Sequence, residues 1–511
     1  MKICLKDMTG SLLNCVLYGN QEIEICGITH DSRKVKPGWA YVAIPGEKSD
    51  GHDFIRSAIV SGAVAIVAQK EPHTGFDPDS IGWIKVPSTR DILGLLSSEV
   101  YCRPTDEIAL VGITGTNGKT TLTYILESIS RSAERIPGVV GTISYRWPEH
   151  YISAPNTTPE ASDLQRMFRE MKDSRVSDVF MEVSSHGLKM GRLNGCNFDV
   201  GVFTNLTQDH LDFHRDMEDY YQAKKILFSS LLKASSKKNK AAVVNVDDPF
   251  GSRLFHETTG FKKFSFGSSS TCDFYPLDVE ISADGISGSI CVPEGDLKIE
   301  SSLTGYFNLS NIMAAVAVSV CLGFSVDSIR RGIAELRVVP GRLQRIESRF
   351  GQIFVDYAHT PNALNNVLDA LRKSMPGRLI TVVGCGGDRD RTKRPLMGEQ
   401  AALASDFVLI TSDNPRTEDP MDIISQIEPG VKKCGLRMLS VNGDVGRIPS
   451  GQYAIIPDRR KAIEWIVRHL EETDTLLVAG KGHENYQEIN GVRYPFDDGE
   501  ELRKALESLN L

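Results

Sequence analysis

The sequence predicts an α/β protein of three domains, with a central parallel-sheet domain of P-loop type and a doubly wound C-terminal domain. Three observations carry this. The chain has 511 residues, more than one hydrophobic core serves. A strongly apolar run, Ile108-Ala-Leu-Val-Gly-Ile, meets a Gly-rich turn and then a helical stretch from Thr120 to Ser130. Beyond Val338-Val-Pro-Gly-Arg, apolar strand segments alternate with helical ones in the manner of a doubly wound sheet.

Residues 1–106 mix short apolar runs, Trp39 to Ile44 and Ala63 to Ala68, with Gly and Pro turns, as a small α/β domain does. The second domain, 107–339, opens on the strand at Ile108 and adds strands at Val179 to Val183, Val200 to Thr204 and Ala241 to Val246. The third, 340–511, is expected to have strands at Ile353 to Asp356, Leu379 to Val383, Phe407 to Thr411 and Thr475 to Ala479. With 41% hydrophobic and 24% charged residues and a net charge of -8, the chain is globular and a poor match for nucleic acid. Ten cysteines without a C-x-x-C pair suit reduced thiols. The opening residues lack a signal-peptide apolar stretch, and Ile312 to Phe324 is too short to span a bilayer. A soluble, cytoplasmic protein free of nucleic-acid and membrane partners is expected.

Gly112-Ile-Thr-Gly-Thr-Asn-Gly-Lys-Thr-Thr lies between strand and helix, where backbone N–H groups and a helix N-terminus cradle phosphates. Gly115, Thr116, Asn117, Gly118, Lys119, Thr120 and Thr121 are therefore the candidate ATP-phosphate residues, Lys119 reaching the β/γ-phosphates and Thr120 a magnesium ion. The first glycine of the general motif would fall at Ile113, so the loop is a variant. Glu182 at a strand end, His210 and Lys224 form a second candidate constellation. A carboxylate and an imidazole there can hold Mg²⁺. Singly, each also reads as a capping glutamate, a hydrogen-bonded histidine and a solvated lysine.

These residues resemble the Mur ligase family, in the branch that adds the third residue of the bacterial stem peptide. The resemblance spans the chain. It rests on His30-Asp-Ser-Arg, Gly115-Thr-Asn-Gly-Lys-Thr, Asn156-Thr-Thr-Pro, Glu182-Val-Ser-Ser-His-Gly, Asn205-Leu-Thr-Gln-Asp-His-Leu-Asp, Gly305-Tyr-Phe-Asn-Leu-Ser-Asn, Pro340-Gly-Arg, Asp356-Tyr-Ala-His and Gly480-Lys-Gly-His-Glu. It implies an N-terminal domain for a UDP-sugar, a central ATPase and a Rossmann-like C-terminal domain for the incoming amino acid. It further implies that Lys224 is carbamylated to an N6-carboxylysine that joins Thr120, Glu182 and His210 around Mg²⁺. Asn308, Asn311, Arg342, Asp356 and His359 are assigned by it to ATP, and Ser32, Asn156, Thr157, Thr158, Ser184 and Arg192 to the UDP-sugar. Met190 stands where it leads us to expect glutamine.

Asp413-Asn-Pro-Arg resembles the family's signature for meso-diaminopimelate. Arg389, Asp413, Asn414, Pro415, Arg416, Gly480 and Glu484 are the candidates, with Arg416 clamping the distal carboxylate, Asn414 accepting from an ammonium and Glu484 pairing with it. Lysine would leave the arginine unpaired, at a cost of ~2–5 kcal/mol. The expected reaction is ATP-dependent addition of meso-diaminopimelate to UDP-N-acetylmuramoyl-L-alanyl-D-glutamate through an acyl phosphate, by a monomer. Alternatives are a folylpolyglutamate synthetase, a lysine-adding enzyme, and a nucleotide-gated regulatory protein that makes no bond.

Overall fold

The computed structural model describes residues 2–10, 14–46, 49–73, 76–282, 284–375, 377–441 and 446–509. Near the N-terminus a five-stranded sheet runs in the order Val16–Tyr18, Gly82–Lys85, Ala63–Ala68, Trp39–Val42, Gly27–Thr29. Its last four strands are parallel and the first is antiparallel. The two apolar runs noted in the sequence are adjacent strands of this sheet.

The central sheet has eight strands, ordered His150–Ser153, Ser144–Trp147, Pro137–Val140, Asp178–Glu182, Ala109–Thr114, Val200–Phe203, Ala241–Asn245, Lys262–Phe266. From Pro137–Val140 onward all are parallel. Sheets covered on both faces are built from continuous apolar runs, which is why these strands stood out in the sequence. Pairing of Glu182 with Ile113 sets the Glu182 strand end beside the Gly-rich loop. Helices Lys119–Ser132 and Tyr306–Cys321 pack together over the sheet, and the second is apolar around nearly its whole circumference because it is enclosed. A four-stranded antiparallel sheet follows, in which Gly285–Val292 pairs with Gly295–Ser301, Tyr275–Pro276 and Glu280–Ser282.

The C-terminal sheet runs Gln344–Ile346, Gln352–Asp356, Thr475–Ala479, Leu379–Val383, Phe407–Ile410, Gln452–Ile455, Arg437–Met438, and only the first strand is antiparallel. Strand Thr475–Ala479 enters from the far end of the chain between two early strands, the doubly wound arrangement in which ligands bind beyond the carboxyl ends. From those ends spring the segments that begin at Tyr357, Gly384, Thr411 and Gly480. Behind them, Arg459 and Asp498 form a fully buried pair at 2.7 Å, and Arg459 also donates to the Ala479 carbonyl at 2.9 Å. The pair ties helices Arg459–Arg468 and Asp498–Ser508 to the strand that leads into the Gly480 loop. Among the described residues, no helix is long and apolar enough to cross a membrane.

Candidate active site

Strand Ala109–Thr114 and helix Lys119–Ser132 leave only residues 115–118 to turn the chain. Gly115 adopts φ +148° and Gly118 φ +88°, and a Cβ on either would fall 1.9 Å from Thr204 Oγ1 or 2.4 Å from Asn311 Oδ1. Only glycine fits these positions. Lys119 folds back over the loop, its Nζ donating to the carbonyls of Gly115 at 2.9 Å and Thr116 at 2.7 Å. Burial lowers its pKa against the pull of Glu182 and Asp209. Thr120 Oγ1 donates to Glu182 Oε1 at 3.0 Å and accepts from Arg342 Nη2 at 3.2 Å, so one hydroxyl links the phosphate loop, the acidic strand end and the C-terminal part of the chain.

Glu182 is buried and accepts from the Thr142 backbone N–H and the Thr142 hydroxyl, both at 2.9 Å. Lys224, on helix Met217–Ile226, is only 1% exposed, donates to the Gly115 carbonyl at 2.8 Å and sits 4.4 Å from the Tyr220 ring centroid. Among the described residues no carboxylate forms a salt bridge with it. Burial, reinforced by Lys119, pushes its pKa well below that of an ordinary lysine. His210 adopts φ +55°, and its Nε2 lies 3.4 Å from Asp209 Oδ2. Burial pushes the imidazole down to about 4, so it is a neutral base at neutral pH. Among the described residues no group of three His, Cys, Asp or Glu side chains gathers as a metal site. The expected magnesium set therefore contains, as it stands, one carboxylate and one imidazole.

A cleft of about 1070 Å³ joins these groups to the C-terminal sheet. It is lined by residues 116–121, by Glu182, His210, Lys224, Asn311, Arg342, Asp356 and His359, by Asn156, Thr157, Thr158, Ser184 and Arg192, and by Arg389, Asp413, Asn414, Arg416, Gly480 and Glu484. Four expected residues are absent from the lining. Gly115 underlies the loop, and Asn308, bonded to the Thr304 carbonyl at 2.8 Å, accepts from Asn311 Nδ2 at 3.2 Å and so supports it. Pro415 lies close against Gly387 through its carbonyl, and Ser32 begins a short helical turn in the N-terminal domain. Asp356 accepts from the backbone N–H groups of Leu343 at 2.5 Å and Ala358 at 2.7 Å. His359 Nδ1 bonds to the Tyr357 carbonyl at 2.9 Å, leaving Nε2 to face Asp209 at 4.0 Å.

On the remaining bank, Thr158 Oγ1 donates to the Glu182 carbonyl at 3.1 Å and accepts from Ser184 N at 3.0 Å. Ser184 caps helix Ser185–Lys189, with its Oγ accepting from Gly187 N at 3.1 Å. Arg192 donates to the Thr158 carbonyl at 2.9 Å and lies 2.7 Å from Glu160, which also accepts from Arg90 of the N-terminal domain at 2.9 Å. Thr157 Oγ1 is 3.1 Å from Thr142 Oγ1, and the Asn156 carbonyl accepts from the Tyr145 hydroxyl. Met190 follows the Ser185–Lys189 helix as its C-cap and is not among the residues that line the cleft.

The C-terminal wall is a charged cluster. Asn414 Nδ2 donates to Glu484 Oε2 at 2.7 Å, and its carbonyl oxygen accepts from both Lys481 Nζ at 3.0 Å and Glu488 N at 2.9 Å. The ammonium that Asn414 accepts from is thus the protein's own. Arg416 adopts φ +52°, held by its N–H to the Glu488 carbonyl at 3.0 Å and by Asn490 N donating to its carbonyl at 2.7 Å. Its Nη1 donates to the Gly387 carbonyl at 2.7 Å, which orients the guanidinium plane. Arg389 Nη1 donates to the Asp388 carbonyl at 3.0 Å. Burial raises the pKa of Glu484, helped by Asp413. Asp413 is held below the usual carboxylate range, the pull of Lys481, Arg459 and His359 outweighing its burial.

Three domain models match the chain in order: the Mur ligase family catalytic domain over 24–101, the Mur ligase middle domain over 113–319, and the Mur ligase glutamate ligase domain over 341–482. The chain belongs to the Mur ligase family. A Geobacter metallireducens protein named UDP-N-acetylmuramoyl-L-alanyl-D-glutamate--2,6-diaminopimelate ligase is 46% identical over 494 residues, covering 96% of each chain. A Geobacter sulfurreducens protein of the same name is 43% identical over 507 residues, covering 99% of each. A solved structure of a ligase bearing that name superposes with a TM-score of 0.69 at 31% identity, covering the full length of both chains.

Several residues that line or underlie this Mur ligase's cleft escaped the sequence reading. Thr142 gives Glu182 two hydrogen bonds yet comes from a separate strand connection, and only the fold makes them neighbours. Asp209 was within reach, since it directly precedes His210 in a motif already singled out. Lys393 lines the cleft from the start of helix Lys393–Ala404. Lys481 sits inside the Gly480-Lys-Gly-His-Glu motif but carries no local sign of burial.

Proposed function

We propose that this chain uses ATP to join meso-diaminopimelate to the free carboxylate of UDP-N-acetylmuramoyl-L-alanyl-D-glutamate, in the synthesis of peptidoglycan precursors. The observation that carries this reading is that one cleft places a phosphate loop opposite a cluster of arginine, amide and carboxylate groups suited to a zwitterionic side chain. The near full-length relatives named for this reaction support it. In this reading residues 1–106 hold the UDP-sugar, 107–339 ATP, and 340–511 the amino acid. The cleft is assembled within one chain, so the monomer suffices, and ATP and a nucleotide-linked precursor place it in the cytoplasm.

Residues 115–121 hold the phosphates, with Asn308 supporting Asn311, and with Arg342, Asp356 and His359 completing the nucleotide site from the C-terminal side. Thr157, Thr158, Ser184 and Arg192 orient the dipeptide, Asn156 and Ser32 its nucleotide-sugar part. Glu182, His210 and the Thr120 hydroxyl suit Mg²⁺, and carbamylation of Lys224, whose buried amine has no carboxylate partner among the described residues, would add the hard anionic oxygen the ion prefers. Thr120, Glu182, His210 and the Lys224 carbamate would then hold the ion, which supplies positive charge to phosphoryl oxygens.

The glutamate carboxylate attacks the γ-phosphorus and ADP leaves, giving an acyl phosphate while Lys119 neutralises phosphoryl oxygens. The amine of diaminopimelate then attacks the acyl carbon, and phosphate departs with the C–O bond to it broken. Arg416 and Arg389, with the second Asn414 N–H, take the distal carboxylate, and Glu484 takes the distal ammonium. Asp413, Pro415 and Gly480 shape that wall. No side chain becomes covalently attached to substrate. With ¹⁸O in the glutamate carboxylate, one label is expected in the released phosphate, and phosphate free of label would eliminate the acyl phosphate.

A further inference from the structure

Gly480 ends the strand Thr475–Ala479 and turns the chain so that Lys481 points inward. Its side chain is 0% exposed. The Nζ lies 3.0 Å from Asn414 Oδ1, 3.4 Å from Asp413 Oδ1 and 3.4 Å from Glu484 Oε2. The nearby Arg459 is already paired with Asp498 at 2.7 Å. Lys481 is therefore the ammonium that faces two buried carboxylates, and the cluster is left with one excess negative charge. A buried lysine shared by three groups of one pocket wall, yet absent from the cleft lining, acts through its neighbours.

We propose that Lys481 is the positioning residue that cancels Asp413, fixes the Asn414 amide and leaves Glu484 as the single free negative charge, so that the pocket admits a side chain ending in one ammonium. This rests on the functional reading given above, that Glu484 and Asn414 receive the amino acid. The geometry explains why the Asn414 carbonyl is closed to substrate: Lys481 and Glu488 N occupy both its acceptor directions. It leaves one N–H of Asn414 for a carboxylate, beside Arg416. Without Lys481, Asp413 and Glu484 lose the cation that faces both of them, each disfavours the other's ionised form, and Glu484 offers less than a full charge.

The test is steady-state kinetics of the full-length enzyme with Lys481→Gln and with Asp413→Asn/Lys481→Gln, a double variant that removes one charge of each sign and so leaves the net charge of the buried cluster unchanged. Lys481→Gln is expected to raise KM for the amino acid at least ~30-fold while KM for ATP and the UDP-dipeptide stay within about threefold. The double variant is expected to recover at least about fivefold of that loss. The groups facing Glu484 are Asp413, Asn414, Lys481, Arg459, Tyr357 and Tyr486. Of these, only Lys481 changes in the single variant, so the acid limb of kcat/KM for the amino acid is expected to move to higher pH. Equal rises in all three KM values, an unmoved acid limb, or a double variant no better than the single one would overturn the proposal. If Lys481→Gln fails to fold, the double variant alone decides: an amino-acid KM within about tenfold of wild type supports the proposal, and a larger rise overturns it. The comparison uses whichever amino acid the wild type accepts, so an error in the diaminopimelate reading appears as a different wild-type acceptor and not as a false result here.

Discussion

Replacement of Lys224 by alanine is expected to lower turnover by about 10³-fold or more, with binding of an ATP analogue retained. The residue is buried and without a carboxylate partner, and its pKa is depressed by burial and by Lys119. A cation is unfavourable there, whereas a neutral amine is nucleophilic. On the reading proposed above, addition of CO₂ would form an N–C bond, release a proton and leave one N–H on the nitrogen that now donates to the Gly115 carbonyl at 2.8 Å. The product would be an anion facing Glu182 and His210, with Asp209 3.4 Å from the imidazole. Lys224→Arg is expected to be as inactive as the alanine variant, since a guanidinium cannot be carbamylated, and short carboxylates such as acetate should restore part of the alanine variant's activity. An active Lys224→Arg enzyme would show that only a positive charge is needed.

Arg416→Gln is expected to lower kcat/KM for meso-diaminopimelate by about 30- to 5000-fold, corresponding to the ~2–5 kcal/mol of a desolvated charge pair. Activity with L-lysine, however weak, should change less than about threefold. Arg416 sits at φ +52° because two backbone hydrogen bonds lock it between the Asn414 loop and the hairpin Tyr486–Ile489 and Val492–Pro495. Its guanidinium plane is set by the Gly387 carbonyl. On the reading proposed above this guanidinium takes a planar anion, and lysine has no distal carboxylate to place there. Kinetics with both amino acids on both enzymes checks the point, and an equal loss for the two would assign Arg416 to the shared part of the substrates.

The parts of this fold that were legible are those in which enclosure dictates composition. Strands Ala109–Thr114, Val200–Phe203, Leu379–Val383 and Thr475–Ala479 are buried on both faces and read as unbroken apolar runs, within a residue or so of their observed ends. The antiparallel strand Gly285–Val292, Gly-Ile-Ser-Gly-Ser-Ile-Cys-Val, is half solvated and rich in Ser and Gly, so it carried no such signal. Gln452–Ile455 begins with a polar residue directly after the turn at Gly451, which hides its apolar part. In the cleft, the Gly-rich loop between strand and helix was legible because strand, glycines and lysine are contiguous. The contacts that organise it are between distant segments: Arg342 with Thr120, Thr142 with Glu182, His359 with Asp209, Lys481 with Asn414. Spacing along the chain encodes none of these. The resemblance singled out Asn414, and the structure adds that its carbonyl already accepts from Lys481 and from the Glu488 backbone N–H.

The central claim, that this cleft couples ATP cleavage to joining a diamino acid to a carboxylate, is tested most directly by phosphate release from ATP with UDP-N-acetylmuramoyl-L-alanyl-D-glutamate present. The comparison is between meso-diaminopimelate, L-lysine and no amino acid, with the product identified by mass. Release with a tripeptide product from diaminopimelate alone is the predicted result. Lysine-dependent release would contradict the assignment of Arg416 and Asn414, and protein that binds ATP yet releases no phosphate with either acceptor would contradict the ligase reading itself.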